Sequence, residues 1–384
     1  DLETTKRRLK NLGYFQDVQV TGAASSQEGY RDVNILVQEQ RTGTINFGLG
    51  FSSIDSILGR INLEQSNFDI TNWGRFTGAG QRFSVNLQVG SQRTDFRVSL
   101  VEPWFLGQKL SLGTDLYYRD LIFLSPEYDQ TNVGASVFLR KPVGRRSYIK
   151  GEYRVETIEI EAENDTSQVF KDEEDKYLRS ALSLNYVYDS RDSNRLPRRG
   201  HKVDLGLIYA GGLLAGDVDT MTFTGSGTKH WSLPFDTILT ARGSFAVVDS
   251  HGGDDNLPIF ERQFLGGARD LRGFQFRDIG PRDATGPNAT QEVLGGATSV
   301  FGSLEFTFPV IGQVRGAVFY DAGFVNSDSW DFNTGRLASD VGIGVRLNLP
   351  GIGPLAVDFA VPVETPDDQA DDGSQIQFYM DYQF

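Results

Sequence analysis

The sequence of 384 residues contains no cysteine, two methionines and three histidines. Without cysteine it can form no disulfide framework, no thiolate metal site and no cysteine nucleophile. The histidines lie in separate segments, which disfavours a zinc site or a catalytic triad: His201, His230 and His251. We therefore predict no enzyme activity, no metal and no other cofactor.

Positive charge and long apolar runs are also scarce. The 37 Lys plus Arg residues stand against 51 Asp plus Glu, a formal net charge of −14. A chain this acidic repels phosphate, which argues against a nucleic-acid partner. No run of about eighteen apolar residues occurs, so we predict no membrane-spanning helix. Glycine and aromatic residues are abundant instead, with 43 glycines and 12% aromatics. This composition is too apolar for disorder and too rich in glycine for helices, and it predicts an all-β protein.

Residues 1–12 are the one segment with convincing helical periodicity, and Gly13 provides a helix stop. Short strands are predicted near 16–21 and 31–39. One helix and two strands cannot bury a full core. We therefore interpret residues 1–40 as the end of a small α+β domain that begins upstream.

From residue 41 onward, apolar and polar residues alternate with a period of two, which predicts strands with one apolar and one wet face. Sixteen such segments occur: 43–52, 56–66, 80–90, 94–102, 108–119, 130–140, 146–158, 176–188, 201–211, 218–231, 236–248, 297–308, 313–324, 336–348, 353–362 and 374–384. Strands of about ten residues in even number are typical of an outer-membrane barrel, whereas strands of a soluble sheet have about five. We predict an antiparallel transmembrane β-barrel over residues 41–384, with a soluble sandwich or propeller as the alternative.

The predicted connections alternate in length. Those after even-numbered strands are mostly tight, whereas several after odd-numbered strands are long: 159–175, 249–296 and 363–373. This asymmetry matches periplasmic turns and extracellular loops, and it puts the N-terminal domain and the C-terminus on the periplasmic side. Two of the long loops are acidic, and we interpret them as solvated rather than as a divalent-cation site.

The connection at about 249–296 contains the run QFLGGARDLRGFQFRDIGP, whose apolar residues disfavour disorder. We predict that it folds back into the barrel and is pinned there by Arg272. The strand alternation turns two carboxylates inward, those of Glu305 and Asp321. A guanidinium between two carboxylates is a strong, geometrically defined contact. On chemistry alone, a solvated Arg272 remains an equal alternative.

The residues around Arg272 resemble a known motif. The run Leu271-Arg272-Gly273-Phe274 resembles the (V/I/L)RG(F/Y) loop of the BamA family, the barrel subunits of the outer-membrane β-barrel assembly machine. Three further features support the likeness: Gly302-Ser303-Leu304-Glu305-Phe306, Phe319-Tyr320-Asp321-Ala322-Gly323 and the terminal Phe384. The resemblance covers the whole chain, because residues 1–40 resemble the last part of a POTRA domain.

The resemblance implies the roles of several residues and partners. It implies that Glu305 and Asp321 hold the arginine of the loop motif. It also implies that the protein assembles and inserts β-barrel proteins into the outer membrane of a Gram-negative bacterium, without enzyme chemistry. The partners expected on this basis are unfolded β-barrel clients, outer-membrane lipid and accessory periplasmic lipoproteins.

Such a function requires a strand edge at membrane depth, because unpaired backbone groups of a client are costly in hydrocarbon. We expect that edge at a lateral seam between the first and last strands, at Ile45, Phe47, Gly48, Gly50, Gln377, Phe378 and Phe384. The two glycines weaken the pairing of the first strand, although leaving space for the infolded loop explains them equally well. The alternatives are a two-partner-type secretion pore, a TamA-like autotransporter assembly factor and, disfavoured by the POTRA-like tail, a passive porin.

Overall fold

A computed structural model describes residues 2–10, 12–27, 29–52, 56–164, 166–194, 196–251, 257–283, 292–349, 353–368 and 373–380. The N-terminal part consists of helix α1 (Leu2–Lys10) and an antiparallel pair of strands, β1 (Phe15–Ala24) and β2 (Arg31–Glu39). Gly13 adopts a φ of 73°, the left-handed conformation that ends helices. Within the described residues no helix is both long and apolar enough to cross a bilayer.

The remaining strands close into one antiparallel barrel of sixteen strands. Their bounds are β3 (Gly43–Ser52), β4 (Ser56–Phe68), β5 (Gln81–Gly90), β6 (Arg93–Glu102), β7 (Ser111–Leu121), β8 (Tyr128–Pro142), β9 (Ser147–Ala162), β10 (Lys176–Asp189), β11 (Gly200–Ala210), β12 (Thr220–Leu233), β13 (Thr237–Ser250), β14 (Thr298–Ile311), β15 (Val314–Asn326), β16 (Ala338–Leu349), β17 (Gly353–Glu364) and β18 (Gln375–Met380). The predicted fold class and all sixteen strands are confirmed.

The barrel wall alternates as the sequence pattern requires. In β14, Ser303 and Thr307 are buried towards the lumen, while Leu304 between them is 54% exposed on the outer face. In β15, Asp321 is fully buried inside and Tyr320 is exposed outside. An apolar outer surface suits hydrocarbon, while ring closure satisfies the backbone groups that lipid cannot.

The connections follow the predicted asymmetry, with a short-turn rim that is mostly but not wholly tight. The connections between β4 and β5 and between β10 and β11 are longer, as the predicted strand bounds already require. The first is stabilised by stacking of Phe68 with Phe76 and with Phe83. In the second, Asp192 accepts hydrogen bonds from the backbone N–H groups of Arg198 and Arg199. Local side-chain contacts therefore stabilise both of these longer connections.

The seam between β18 and β3 closes the ring, and residues 53–55 and 381–384, which adjoin it in sequence, lie outside the described residues. Across it the described residues register a single pair, Tyr379 with Ser52. The shortest of the other ladders in the barrel, between β17 and β18, registers six pairs. This junction joins the first and last strands of the barrel.

The closed ring generates a prediction about the folded protein in detergent. Because the wall pairs its own backbone groups, we expect the barrel to survive cold detergent and to unfold only on boiling. The unboiled protein should migrate faster than the boiled protein on a detergent gel. Identical mobility of the two samples would contradict a membrane barrel.

Candidate functional site

The infolded segment, defined here as residues 257–283, lies against the inside of the barrel and carries many of its most deeply buried side chains. Its tip is a compact turn in which Leu265 and Ile279 form a β-bridge. The Asp270 carboxylate accepts hydrogen bonds from the backbone N–H groups of Gly266 (2.7 Å) and Leu271 (2.8 Å). Burial raises the pKa of Asp270 to about 7, although these hydrogen bonds oppose the shift.

Gly266 is required by the shape of this turn. Its φ of 112° is a conformation that side-chain-bearing residues rarely adopt, and a Cβ there would lie 2.2 Å from the carbonyl oxygen of Gln275. The glycine-rich run before the motif therefore serves a tight backbone crossing.

Arg272 is the centre of the site and is fully buried. Its Nε and Nη2 donate to the two carboxylate oxygens of Asp321 at 2.7 and 2.9 Å, and its Nη1 donates to Glu305 at 2.7 Å. The guanidinium also lies 3.4 Å from the ring centroid of Phe319. Burial by itself would lower the pKa of Arg272, but Asp321 and then Glu305 raise it above its ordinary value. The structure thus brings Arg272 together with both carboxylates named from the sequence.

Two further charged residues complete this cluster, and the sequence analysis missed both. Asp358 accepts from Nη1 of Arg272 at 3.4 Å, and Arg346 donates to Asp358 and to Glu305, each at 2.6 Å. Both lie in the inward phase of apolar strands, where a charged residue costs free energy unless it is paired. That inward phase, readable from the alternation in β16 and β17, could have identified them.

Asp340 is the exception in the cluster, because no side chain among the described residues donates a hydrogen bond to its buried carboxylate, which faces the backbone N–H of Gly273. It is also the direct cross-strand neighbour of Asp321. Gly273 packs on this side chain, since a Cβ at Gly273 would lie 2.5 Å from the Cβ of Asp340. The glycine of the motif is therefore needed for close approach of the infolded segment to β16.

The two apolar residues of the motif fill the space beside the arginine. Leu271 and Phe274 belong to one buried cluster, together with Leu265, Ile279, Phe301, Val325 and Ala338. The carbonyl of Phe274 also accepts a hydrogen bond from Nε2 of Gln377 at 3.2 Å. Gln377 belongs to β18, so the motif contacts the last strand of the barrel directly.

The structure places the other residues named for the seam in different environments. Ile45 and Phe47 are exposed on the outer face, and Phe378 in β18 is half-buried. A Cβ added at Gly48 would have the Cβ of Arg60, 4.0 Å away, as its nearest described neighbour, so the infolded segment does not explain this glycine. Gly50 continues the inward phase of β3, and Phe384 lies outside the described residues.

One of the acidic loops differs from the sequence interpretation. Glu173, which follows the short helix α2 (Gln168–Asp172), is buried and accepts a hydrogen bond from Arg262 at 2.8 Å. The expectation of a fully solvated loop is therefore wrong at this residue. Its partner lies far away in sequence, which is why charge counting along the loop could not reveal it.

A closed barrel with an infolded, arginine-anchored segment defines a class of outer-membrane protein, and residues 75–384 match the Omp85 superfamily domain. The chain belongs to this superfamily and is an outer-membrane protein of a Gram-negative bacterium.

Relatives within this superfamily are outer membrane protein assembly factors named BamA. The protein from Nitratidesulfovibrio vulgaris is 26% identical over 99% of this chain and 46% of its own length. The protein from Neisseria meningitidis is 23% identical over 92% of this chain and 45% of its own. The chain thus spans about half the length of the curated relatives it matches. The crystal structure of BamA from Haemophilus ducreyi lacking POTRA domains 1–3 superimposes with a TM-score of 0.85, at 22% identity, over 98% of this chain and 77% of that one.

The Arg272 cluster generates a prediction about the infolded segment. Replacing Arg272 by alanine leaves buried carboxylates without their partner, a change that costs about 3–5 kcal/mol. We expect Arg272→Ala to loosen the segment and to increase protease cleavage within residues 260–280. Arg269→Ala is the matched control, because this neighbouring arginine is exposed. Unchanged cleavage in Arg272→Ala would contradict the anchoring role.

The buried carboxylate of Asp340 generates a second prediction. Because like charges on directly opposed strands repel each other, neutralising Asp340 should relieve a repulsion with Asp321. We expect Asp340→Asn to raise the temperature at which the barrel loses its fast gel mobility. Asp321→Asn should lower that temperature, since it removes the partner of Arg272. A drop in both variants would show that Asp340 supports the cluster.

Proposed function

We propose that this protein assembles and inserts β-barrel proteins into the outer membrane, and that clients pair with it at the seam between β3 and β18. The relatives named as outer membrane protein assembly factors support this role, which requires no enzyme chemistry. The single observation that supports the mechanism is that the ring closes between its first and last strands, where Tyr379 registers with Ser52.

The physical problem solved by such a catalyst is backbone desolvation. A client strand entering the bilayer exposes N–H and C=O groups that cost several kcal/mol each when unsatisfied. An edge strand at membrane depth can pair with them by β-augmentation. Separating the first and last strands of the barrel exposes such an edge and leaves the other ladders of the ring intact.

The first strand is suited to temporary pairing. Ile45 and Phe47 present apolar side chains to the membrane, with Phe47 exposed by 77%. Gly48 lies in the same strand without packing against the infolded segment, so it weakens β3 without a compensating contact. A strand of this kind releases its partner more readily than one with a full set of cross-strand side-chain pairs.

The partners follow from the same proposal. The apolar outer face contacts outer-membrane lipid, and unfolded β-barrel proteins are the clients. We assign residues 1–40 to the last part of a periplasmic POTRA domain, and accessory periplasmic lipoproteins complete the set of proposed partners. The infolded segment occupies the lumen, which favours this role over that of a passive porin.

The seam mechanism can be tested by locking the one registered pair. Because the chain has no cysteine, Ser52→Cys with Tyr379→Cys can form no other intramolecular disulfide. We expect the oxidised double variant to bridge, which requires β3 and β18 to be neighbours, and to stop inserting clients into liposomes. Reduction should restore insertion to the level of the two single variants.

The matched control places a disulfide on the same strand away from the seam. Asn46 and Asn62 are direct partners in the ladder between β3 and β4, so Asn46→Cys with Asn62→Cys leaves the seam free. Oxidation of this variant should leave insertion unchanged. If the bridged seam variant inserts clients as fast when oxidised as when reduced, the seam is structural and the mechanism fails. A secretion pore or a porin would retain transport through the lumen in both variants.

A further inference from the structure

The infolded segment contacts the barrel wall at two separate places. The Arg272 cluster fixes its tip to β14, β15 and β17. The preceding limb, residues 257–264, packs against a second buried apolar cluster on the opposite side. That cluster comprises Tyr128 of β8, Ile158 and Ile160 of β9, Phe170 of α2 and Ile259 of the limb, with Phe260 and Phe264 packed against it.

An ion network lies beside this second cluster. The Arg179 guanidinium of β10 donates through Nε to Glu261 of the limb and through Nη1 to Glu156 of β9, the latter at 3.2 Å. Glu156 also accepts from the hydroxyl of Tyr117 in β7 at 2.8 Å. Arg179, Glu156 and Glu261 are all buried. Charges removed from water are stable only when paired in this way, so each group depends on the others.

The two contact regions lie far apart around the ring. Between β10 and β14 the barrel order places β11, β12 and β13. In the other direction, β18, β3, β4, β5 and β6 separate β17 from β7. The infolded segment therefore crosses the lumen from one wall to the other.

We propose that Arg179, with Glu156 and Glu261, is a second anchor that positions the Arg272 motif from the opposite wall. The segment is then held at its limb and at its tip, and release of the limb moves the tip. Arg179 is a positioning residue in this account, because it acts through Glu261 and touches no residue of the motif. The inference deepens the proposed function by adding a residue that sets the place of the motif.

The test uses cysteine reporters in the otherwise cysteine-free chain. Ile259→Cys reports on the limb and Ala268→Cys on the tip, since both positions are 1% exposed or less. Each reporter is combined with Arg179→Glu, with Glu261→Arg and with the double exchange. The rate of maleimide labelling is measured on protein whose barrel is folded by its gel mobility.

We expect each single exchange to raise the labelling rate of both reporters by about fivefold to thirtyfold, as loss of one or two kcal/mol implies. The double exchange restores opposite charges at the two positions and should return both rates towards those of the unexchanged protein. Lys176→Glu is the control, because Lys176 pairs with Glu159 on the same two strands but at an exposed site. It should leave both rates unchanged.

Two results would overturn the proposal. Unchanged labelling at Ile259→Cys would show that the network does not hold the limb, and faster labelling there without a change at Ala268→Cys would show that the limb does not position the tip. If Arg179→Glu fails to fold, Glu261→Gln provides the same test through a change in the limb. This variant leaves Glu156 paired with Arg179. The labelling rates are measured without a client protein, so their outcome is independent of the experiment with Ser52→Cys and Tyr379→Cys.

Discussion

A buried positive charge organises the lumen of this barrel. Arg272 is fully buried, and the carboxylates of Asp321, Glu305 and Asp358, together with the ring of Phe319, offset its loss of hydration. These carboxylates lie on three different strands, so the guanidinium can be satisfied only when those strands and the infolded segment are all in place. Glu305 and Asp358 in turn contact Arg346, which extends the dependence to a fourth strand. One side chain therefore couples the position of a loop to the register of a quarter of the ring.

The same motif connects that cluster to the last strand. The backbone carbonyl of Phe274 accepts a hydrogen bond from the side chain of Gln377, and β18 also pairs with β17 and, at Tyr379, with β3. In the proposed function, an arrangement of this kind links the state of the infolded segment to the state of the seam. The hydrogen bond from Gln377 to Phe274 is part of that link.

The sequence predicts most of the architecture because a strand with lipid on one side and the lumen on the other alternates apolar and polar residues. Alternation with a period of two located all sixteen strands, and the inward phase of Glu305 and Asp321 followed from their apolar neighbours. Arg346 and Asp358 were missed because no motif marks them, although their phase was readable. The contacts of Glu173 with Arg262 and of Arg179 with Glu261 could not be predicted, since they join segments separated by more than eighty residues and depend on how the loop folds back. The register at the seam was equally inaccessible, because alternation defines the face of a residue but not its cross-strand partner.

The occupied lumen also has a consequence for the envelope that surrounds the protein. A wide barrel that opened along its axis would let ions and small solutes pass between the periplasm and the exterior. Here the infolded segment occupies part of the lumen, while the seam between β3 and β18 belongs to the side wall, whose outer face is apolar. A protein built in this way can separate its strands within the plane of the membrane and still preserve the permeability barrier.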